Sequence, residues 1–246
     1  MKEVFLVVSD SGASTFLPDK FETSAHVLLD GAFVAADVAK RIKEKIGLDF
    51  GRARLVIAAS YKKTIIRVAQ MREFNHKRSF LRKKIAESDA WEVVKSVFPF
   101  GHAINEDTHL FDVSLFGNKK YVCYGLPVDI CENLAELGKE LTGSLHKVSR
   151  LETIENLMFA GMCNGSRIVI FPQDDGFRVL AIKDGLPENA FFISNHPKWR
   201  EAEFERILDN IGGNMAICAP SFMTMGAGDD LEWVSKYGLG HSCETA

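Results

Sequence analysis

The stretch "SDSGAS", Ser9 to Ser14, follows an apolar run from Val4 to Val8. A glycine in a tight turn lets backbone N–H groups approach phosphate oxygens, and a nearby carboxylate can organise Mg²⁺ through water. Asp10, Gly12 and Ser14 are therefore of the right types for a nucleotide phosphate loop. Asp-x-Gly is also the ordinary chemistry of a hairpin turn, so the residues by themselves support two readings. His102 and His109, with Glu106 and Asp107 between them, are metal-ligand types. They flank a loop-to-strand transition, however, and nothing supplies the remaining ligands at usual spacing, so no metal is expected. Ser14, Ser60 and Ser221 lie in no G-x-S-x-G context, and no cysteine has an obvious histidine partner. Hydrolase chemistry is not indicated, and no catalytic residue is assigned.

The five cysteines, Cys123, Cys131, Cys163, Cys218 and Cys243, are odd in number and lack C-x-x-C spacing. This argues against a disulfide framework or a zinc site and for reduced thiols in a cytoplasmic protein. Residues 62–84 hold nine Lys/Arg against one acid, Glu73, although the whole chain carries a formal charge of −3. Such a run is a solvated helix face or a contact for an acidic partner or anionic membrane surface, where each basic residue adds about 1 kcal/mol. Nucleic acid ranks last, because Phe74 and Phe80 do not interleave regularly with the charges. The opening apolar run is too short for a signal peptide, and no other run reaches spanning length.

The elements that must position these residues alternate between strand and helix. Residues 4–8, 14–17 and 23–29 read as strands, and "DGAFVAADVAKRIKEKIG" as an amphipathic helix with Asp30 as N-cap and Gly47 as stop. "RLVIAAS" (54–60) has the continuous apolar pattern of a strand buried on both faces. "KTIIRVAQM" reads as a strand, the segment ending at Pro99 as a helix, and "LFDVSLFGNKKYVCYGLP" as a hairpin turning at Gly117-Asn118. A helix is expected from Val128 to Leu141 and another over "LETIENLMFAGM". Residues 166–194 give three strands with turns at Asp175-Gly176 and Asp184-Gly185. A helix ("WREAEFERILDNI"), a strand ("NMAICAP") and a Gly-rich turn opening into a last helix follow. Three strands, a helix and a strand thus occur twice. The division is 1–60 first lobe, 61–147 inserted α+β subdomain, 148–163 return helix of the first lobe, and 164–246 a second, truncated lobe.

This order, with "RLVIAASYKKTIIRVAQM", "WEVVKSVFPF", "INEDTHLFDVSLF", "KYVCYGLPVDICENLAEL", "LHKVSRLETIENLMF" and "SRIVIFPQDDGFRVLAIKDGLP", resembles the actin-like superfamily. The likeness is to its pilus and secretion-platform branch, PilM of type IV pili and the cytoplasmic domain of GspL in type II secretion. Glu106, Asp107 and His109 after an aromatic-proline turn look like the GspL pattern. The resemblance implies an α/β fold of two ribonuclease-H-like lobes, the first carrying the insertion. It also implies a nucleotide site between two hairpin turns, Asp10, Gly12 and Ser14 in the first and Asp175 and Gly176 in the second, with Gly226 and Gly228 as a purine-binding turn. The sequence departs from that pattern. Pro172 and Gln173 precede the second turn, and Phe177 and Arg178 stand where small hydroxyl residues belong. Asp229 and Asp230 have a helix-capping reason to follow Gly228.

The expectation is a non-catalytic scaffold, without a required cofactor, on the inner face of the membrane. It would bind a membrane-anchored pilus or secretion assembly protein, with self-association left open. An ATP- and Mg²⁺-binding or ATP-hydrolysing protein is the alternative.

Overall fold

The computed structural model describes residues 3–9, 12–17, 22–28, 33–70, 87–98, 104–117, 120–161, 165–173, 176–212, 215–219 and 229–240. The first apolar run becomes β1 (Glu3–Ser9), and the chain returns through β2 (Gly12–Leu17) and β3 (Glu22–Leu28) as an antiparallel meander. α1 (Ala35–Ile46) buries Val38, Ala39 and Ile42 along one face and stops at Gly47, whose φ of 65° is the left-handed cap conformation. Its N-cap is Val34; Asp30 lies outside the described residues. β4 (Arg54–Ser60) runs parallel to β1 and is buried from Leu55 onward.

The inserted segment folds as β5 (Ile65–Gln70), α2 (Glu87–Val97), β6 (His109–Phe116) and β7 (Lys120–Pro127). Its strands form an antiparallel sheet of order β5-β7-β6, with α2 laid on one face through Val93, Val94 and Phe98. α3 (Val128–Thr142) follows. The sequence division groups it with the insertion, but its Leu134, Leu137 and Leu141 share a core with Leu6, Ile42 and Ile57 of the first lobe. β8 (Val148–Thr153) then pairs parallel with β4, and α4 (Ile154–Gly161) begins at once.

The second half repeats the plan with β9 (Arg167–Gln173), β10 (Gly176–Lys183) and β11 (Leu186–Ser194) as a meander. Asp184 (φ 52°) and Gly185 (φ 72°) make the two-residue turn between β10 and β11, both left-handed as the twist of a tight hairpin demands. α5 (Pro197–Ile211), β12 (Ala216–Cys218) and β13 (Leu239–Gly240) complete it. The two large sheets have equivalent orders, β3-β2-β1-β4-β8 and β11-β10-β9-β12-β13, each an antiparallel meander extended by two parallel strands.

Each half therefore has one strand more than the sequence reading expects. Residues 148–153, assigned to a return helix, are strand β8; the helix opens only after Thr153, whose Oγ1 accepts the Asn156 N–H as an N-cap. The backbone of β4 requires a partner on its far edge, and β8 supplies it. Likewise the expected last helix is a 3₁₀ segment, Asp229–Tyr237, leading into β13.

Between the two large sheets lies a shared core. Val7 and Ala58 come from the first sheet, Val169, Phe171, Leu180 and Ile182 from the second, and Ile66 and Val122 from the inserted sheet. α4 fills the space with Ile154, Leu157, Met158 and Phe159 and is buried at every residue from Ile154 to Phe159. Each such side chain contributes about 1.5–3 kcal/mol by leaving water. The three sheets are thereby packed onto one apolar helix. Among the described residues no helix is long and apolar enough to cross a membrane.

Candidate functional site

Strand alternation decides which polar side chains face the space between the sheets. Val7 and Ala58 face it, so Ser9 and Ser60, two residues on, face it as well. In register, Ser14 stands opposite Val7 and Glu152 beside Ala58. On the second sheet Phe171 and Leu180 face the same space, which brings Gln173 and Arg178 onto that face. The first turn of α4 adds Glu155 and Asn156. A polar layer drawn from both lobes thus adjoins the apolar core, on the side where the strand–turn–strand segments of the sequence reading lie.

Of the candidate phosphate residues, Asp10, Asp175, Gly226 and Gly228 lie outside the described residues. Gly12 belongs to β2 rather than to a loop, and its N–H donates to Ser9 Oγ at 3.1 Å while that hydroxyl donates to the Gly12 carbonyl at 3.2 Å. Ser14 is buried. Gly176 opens β10 opposite Gln173, and a Cβ there would stand 2.1 Å from the Ile193 carbonyl oxygen and 2.8 Å from Phe192 Cζ. The absence of a side chain at this position is demanded by the approach of β11. Phe177 turns into the core of the second lobe beside Ile168, Phe204 and Trp233.

Arg178 is the buried cation of the polar layer. Its Nε lies 2.9 Å from Glu155 Oε1, with the two side chains 7% and 0% exposed. Nη2 donates to the Thr64 carbonyl at 3.3 Å, and the guanidinium sits over the Phe192 ring at 5.7 Å. The contact with Glu155 is coulombic, since neither carboxylate oxygen accepts a hydrogen bond. Both amide atoms of Gln173 and Oδ1 of Asn156 are also buried without a hydrogen-bond partner. Outside this layer, only Arg200 and Trp233 among the described residues have such atoms. A buried polar atom left unpaired costs about 1–3 kcal/mol, so a concentration of them marks a place where water or another group completes the set.

Glu152 Oε2 accepts from Asn156 Nδ2 at 2.8 Å, and Oε1 lies 3.0 Å from Arg150 Nη2. Burial raises its carboxyl above the usual carboxylate range against the pull of Arg150. Nearby, the Tyr124 hydroxyl donates to Asp112 Oδ2 at 3.0 Å, and burial together with the Asp112 charge raises its pKa far above that of a free phenol.

The acidic-and-histidine run has a structural role. Asn105 Oδ1 accepts the N–H groups of Asp107 at 2.9 Å and Thr108 at 3.0 Å, a side-chain-closed turn that leaves Glu106 and Asp107 exposed. His109 Nδ1 meets Thr108 Oγ1 at 2.9 Å, and burial lowers its pKa. His102 lies outside the described residues. No group of three or more potential metal ligands occurs among those described. Cys123, Cys131 and Cys218 are buried thiols. Of the basic stretch, Lys62, Lys63 and Arg67 are described and the charges from residue 71 on are not.

Sequence reasoning flags Arg178 only as a departure from a phosphate turn and misses Glu155. The available signal was a lone arginine inside the apolar "GFRVLAIK" and a lone acid inside the apolar "IENLMFAG".

No family model matches the chain, and no curated protein matches its sequence. Solved structures do match its fold. A Bacteroides thetaiotaomicron protein with an actin-like ATPase fold and unknown function superposes with a TM-score of 0.55 at 12% identity, covering 95% of this chain and 87% of that one. The cytoplasmic domain of EpsL, an inner membrane component of the Vibrio cholerae type II secretion system, gives 0.51 at 9% identity over 89% and 82%. A chain of the PilM–PilN type IV pilus biogenesis complex gives 0.57 at 12% identity over 96% and 86%. The chain has the actin-like ATPase fold and is similar in structure to PilM and cytoplasmic EpsL, the GspL homologue.

Proposed function

We propose that this protein is a non-catalytic scaffold of a type IV pilus or type II secretion-like assembly platform, built from two ribonuclease-H-like lobes with an α+β insertion. It acts on the cytoplasmic face of the membrane and binds a membrane-anchored partner there. The observation that carries the reading is the use made of the two turn glycines. The Gly12 N–H is bonded to Ser9 Oγ, Gly176 is shaped by Ile193 of β11, and the residue two beyond it is an arginine held by Glu155. This use of Gly12, Gly176 and Arg178 supports the scaffold over a phosphate cradle, which needs free N–H groups and small neighbours. The fold likeness to EpsL and to the PilM–PilN complex supports the assignment to an assembly platform.

The partner segment docks in this reading between the inserted subdomain and the first lobe, by strand addition or in the groove. β6 is the edge strand of its sheet and exposes Leu110 at 54%. The test is co-purification of the protein with the cytoplasmic segments of membrane proteins encoded beside it. Capture that is lost in Leu110→Asp supports the scaffold; no capture of any such segment sinks it.

A second reading, an ATP-binding protein, draws on the unpaired buried atoms of Gln173, Asn156 and Glu155. Calorimetric titration with Mg·ATP, with Asp10→Ala as control, separates the two. Micromolar binding abolished by that substitution favours the second reading, and no binding up to millimolar ATP favours the first.

A further inference from the structure

We infer that the Arg178 side chain is an internal tie that holds the two lobes and the inserted sheet in one arrangement, with no bound ligand required. It starts on β10 of the second sheet and meets two other parts of the molecule. Glu155, 2.9 Å away, stands on α4, the helix continuing from the edge strand of the first sheet. The Thr64 carbonyl, 3.3 Å away, belongs to the link between β4 and β5, the root of the inserted sheet.

Both partners are themselves fixed. Thr64 donates its N–H and its Oγ1 to the Tyr61 carbonyl at 3.0 and 2.7 Å, and Tyr61 is buried in the first lobe's core. Glu155 is fully buried on a helix walled in by apolar side chains. Among the described residues, Arg178 is the cation paired with that carboxylate. Moving β10 away from α4 would leave a charge buried and unpaired, which is far more costly than the gain from forming the pair, and moving the root of the inserted sheet would leave a buried guanidinium N–H without its acceptor. The planar guanidinium spreads its charge and its donors over three nitrogens, so it can face a carboxylate on one element and donate to a carbonyl on another, whereas an ammonium is a single point charge. The tie does not depend on which partner the protein binds.

The test is hydrogen exchange of the full chain, measured without nucleotide, in the wild type, Arg178→Ala and Arg178→Lys. In Arg178→Ala the amides of α4, β5 and β10 should exchange about 100-fold faster, while those of α1, β1 and α5 keep their wild-type protection. Arg178→Lys, reaching one partner at a time, should show part of that loss. Millimolar guanidinium, compared with equal sodium chloride, should restore protection to Arg178→Ala and leave the wild type unchanged. Wild-type exchange in Arg178→Ala, or an equal acceleration through every element, overturns the inference. If Arg178→Ala does not fold, Arg178→Lys decides. Loss confined to the interlobe elements supports the tie, and any other pattern overturns it.

Discussion

Replacing Gly176 by alanine separates a glycine needed for a ligand from one needed for packing. The added methyl would start 2.1 Å from the Ile193 carbonyl oxygen, about 1.2 Å short of an ordinary C···O contact. The obstruction is backbone of β11, paired with β10 at Gly176↔Ser194, so relief means displacing a strand. Overpacking costs about 1–3 kcal/mol, and a strained ladder hydrogen bond adds about 1 kcal/mol. The φ of Gly176 is not left-handed, so no backbone strain is added. The expected loss is about 3 kcal/mol, which for a chain of this size lowers Tm by roughly 6–12 °C. Gly138→Ala is the control. Its Cβ would meet Val148 Cγ2 at 2.5 Å and Ile57 Cδ1 at 3.2 Å, side-chain rather than backbone atoms. Alanine also favours the helix over glycine by about 1 kcal/mol, so the loss at 138 should be smaller than at 176. Thermal and urea unfolding followed by circular dichroism measure both variants. A Gly176→Ala protein within about 2 °C of wild type would refute the packing argument, and lost Mg·ATP binding in that same stable variant would restore the phosphate reading.

Phe159→Ala removes a ring that is 1% exposed and meets Phe116 edge-on at 6.2 Å in the core shared by the three sheets. It should cost about 3–5 kcal/mol in urea unfolding, and a loss under about 1 kcal/mol would mean the interlobe core is not closely packed. Glu152 is held above the usual carboxylate range, so between the unfolded value of about 4.3 and the raised folded value the native state holds the extra proton and stability falls as pH rises. Glu152→Gln keeps an acceptor for Asn156 and should remove that slope; parallel urea midpoints for the two proteins from pH 4.5 to 8 would contradict this. Burial and the Asp112 charge push the Cys123 thiol up to about 12, and burial pushes Cys131 up to about 11. Both should resist iodoacetamide at pH 8 in the native protein and react in urea, as peptide mapping by mass spectrometry would register.

Much of the frame is readable from the residues because local patterns and tertiary demands agree there. "RLVIAAS" is apolar from Leu55 to Ala59, and it becomes β4 between β1 and β8, buried on both faces from Leu55 on. Gly47 and Asp184-Gly185 punctuate the chain where left-handed backbone is needed. Strand β8 is masked because no glycine or proline separates Val148 from Phe159, so the apolar periodicity of α4 spreads backwards over it. Its strand state comes from the unpaired edge of β4, which no local window contains. The Arg178–Glu155 contact is hidden for the same reason. Twenty-odd residues and a change of lobe separate the partners, and only the packing of the second sheet on α4 joins them. The opening loop resolves in part: Gly12 and Gly176 have structural work that their types alone do not reveal, whereas Asp10 and Asp175 lie outside the described residues.

The two sheets have the same strand order, yet they differ in how far the chain travels to finish them. From Cys218 the chain reaches β13 at Leu239, whereas from Ser60 it must pass through the inserted sheet and α3 before β8 begins at Val148. The second route is roughly fourfold longer, which raises the entropy cost of closing it by about 1.3 kcal/mol for a flexible loop. Contacts within the second sheet are also the more local ones, the kind that form fastest. During synthesis, however, the first lobe leaves the ribosome earlier with β4 still lacking its outer neighbour. Were the inserted β5-β7-β6 unit to form first, the effective loop would shorten and β8 would come within reach of β4, offsetting part of that entropy cost.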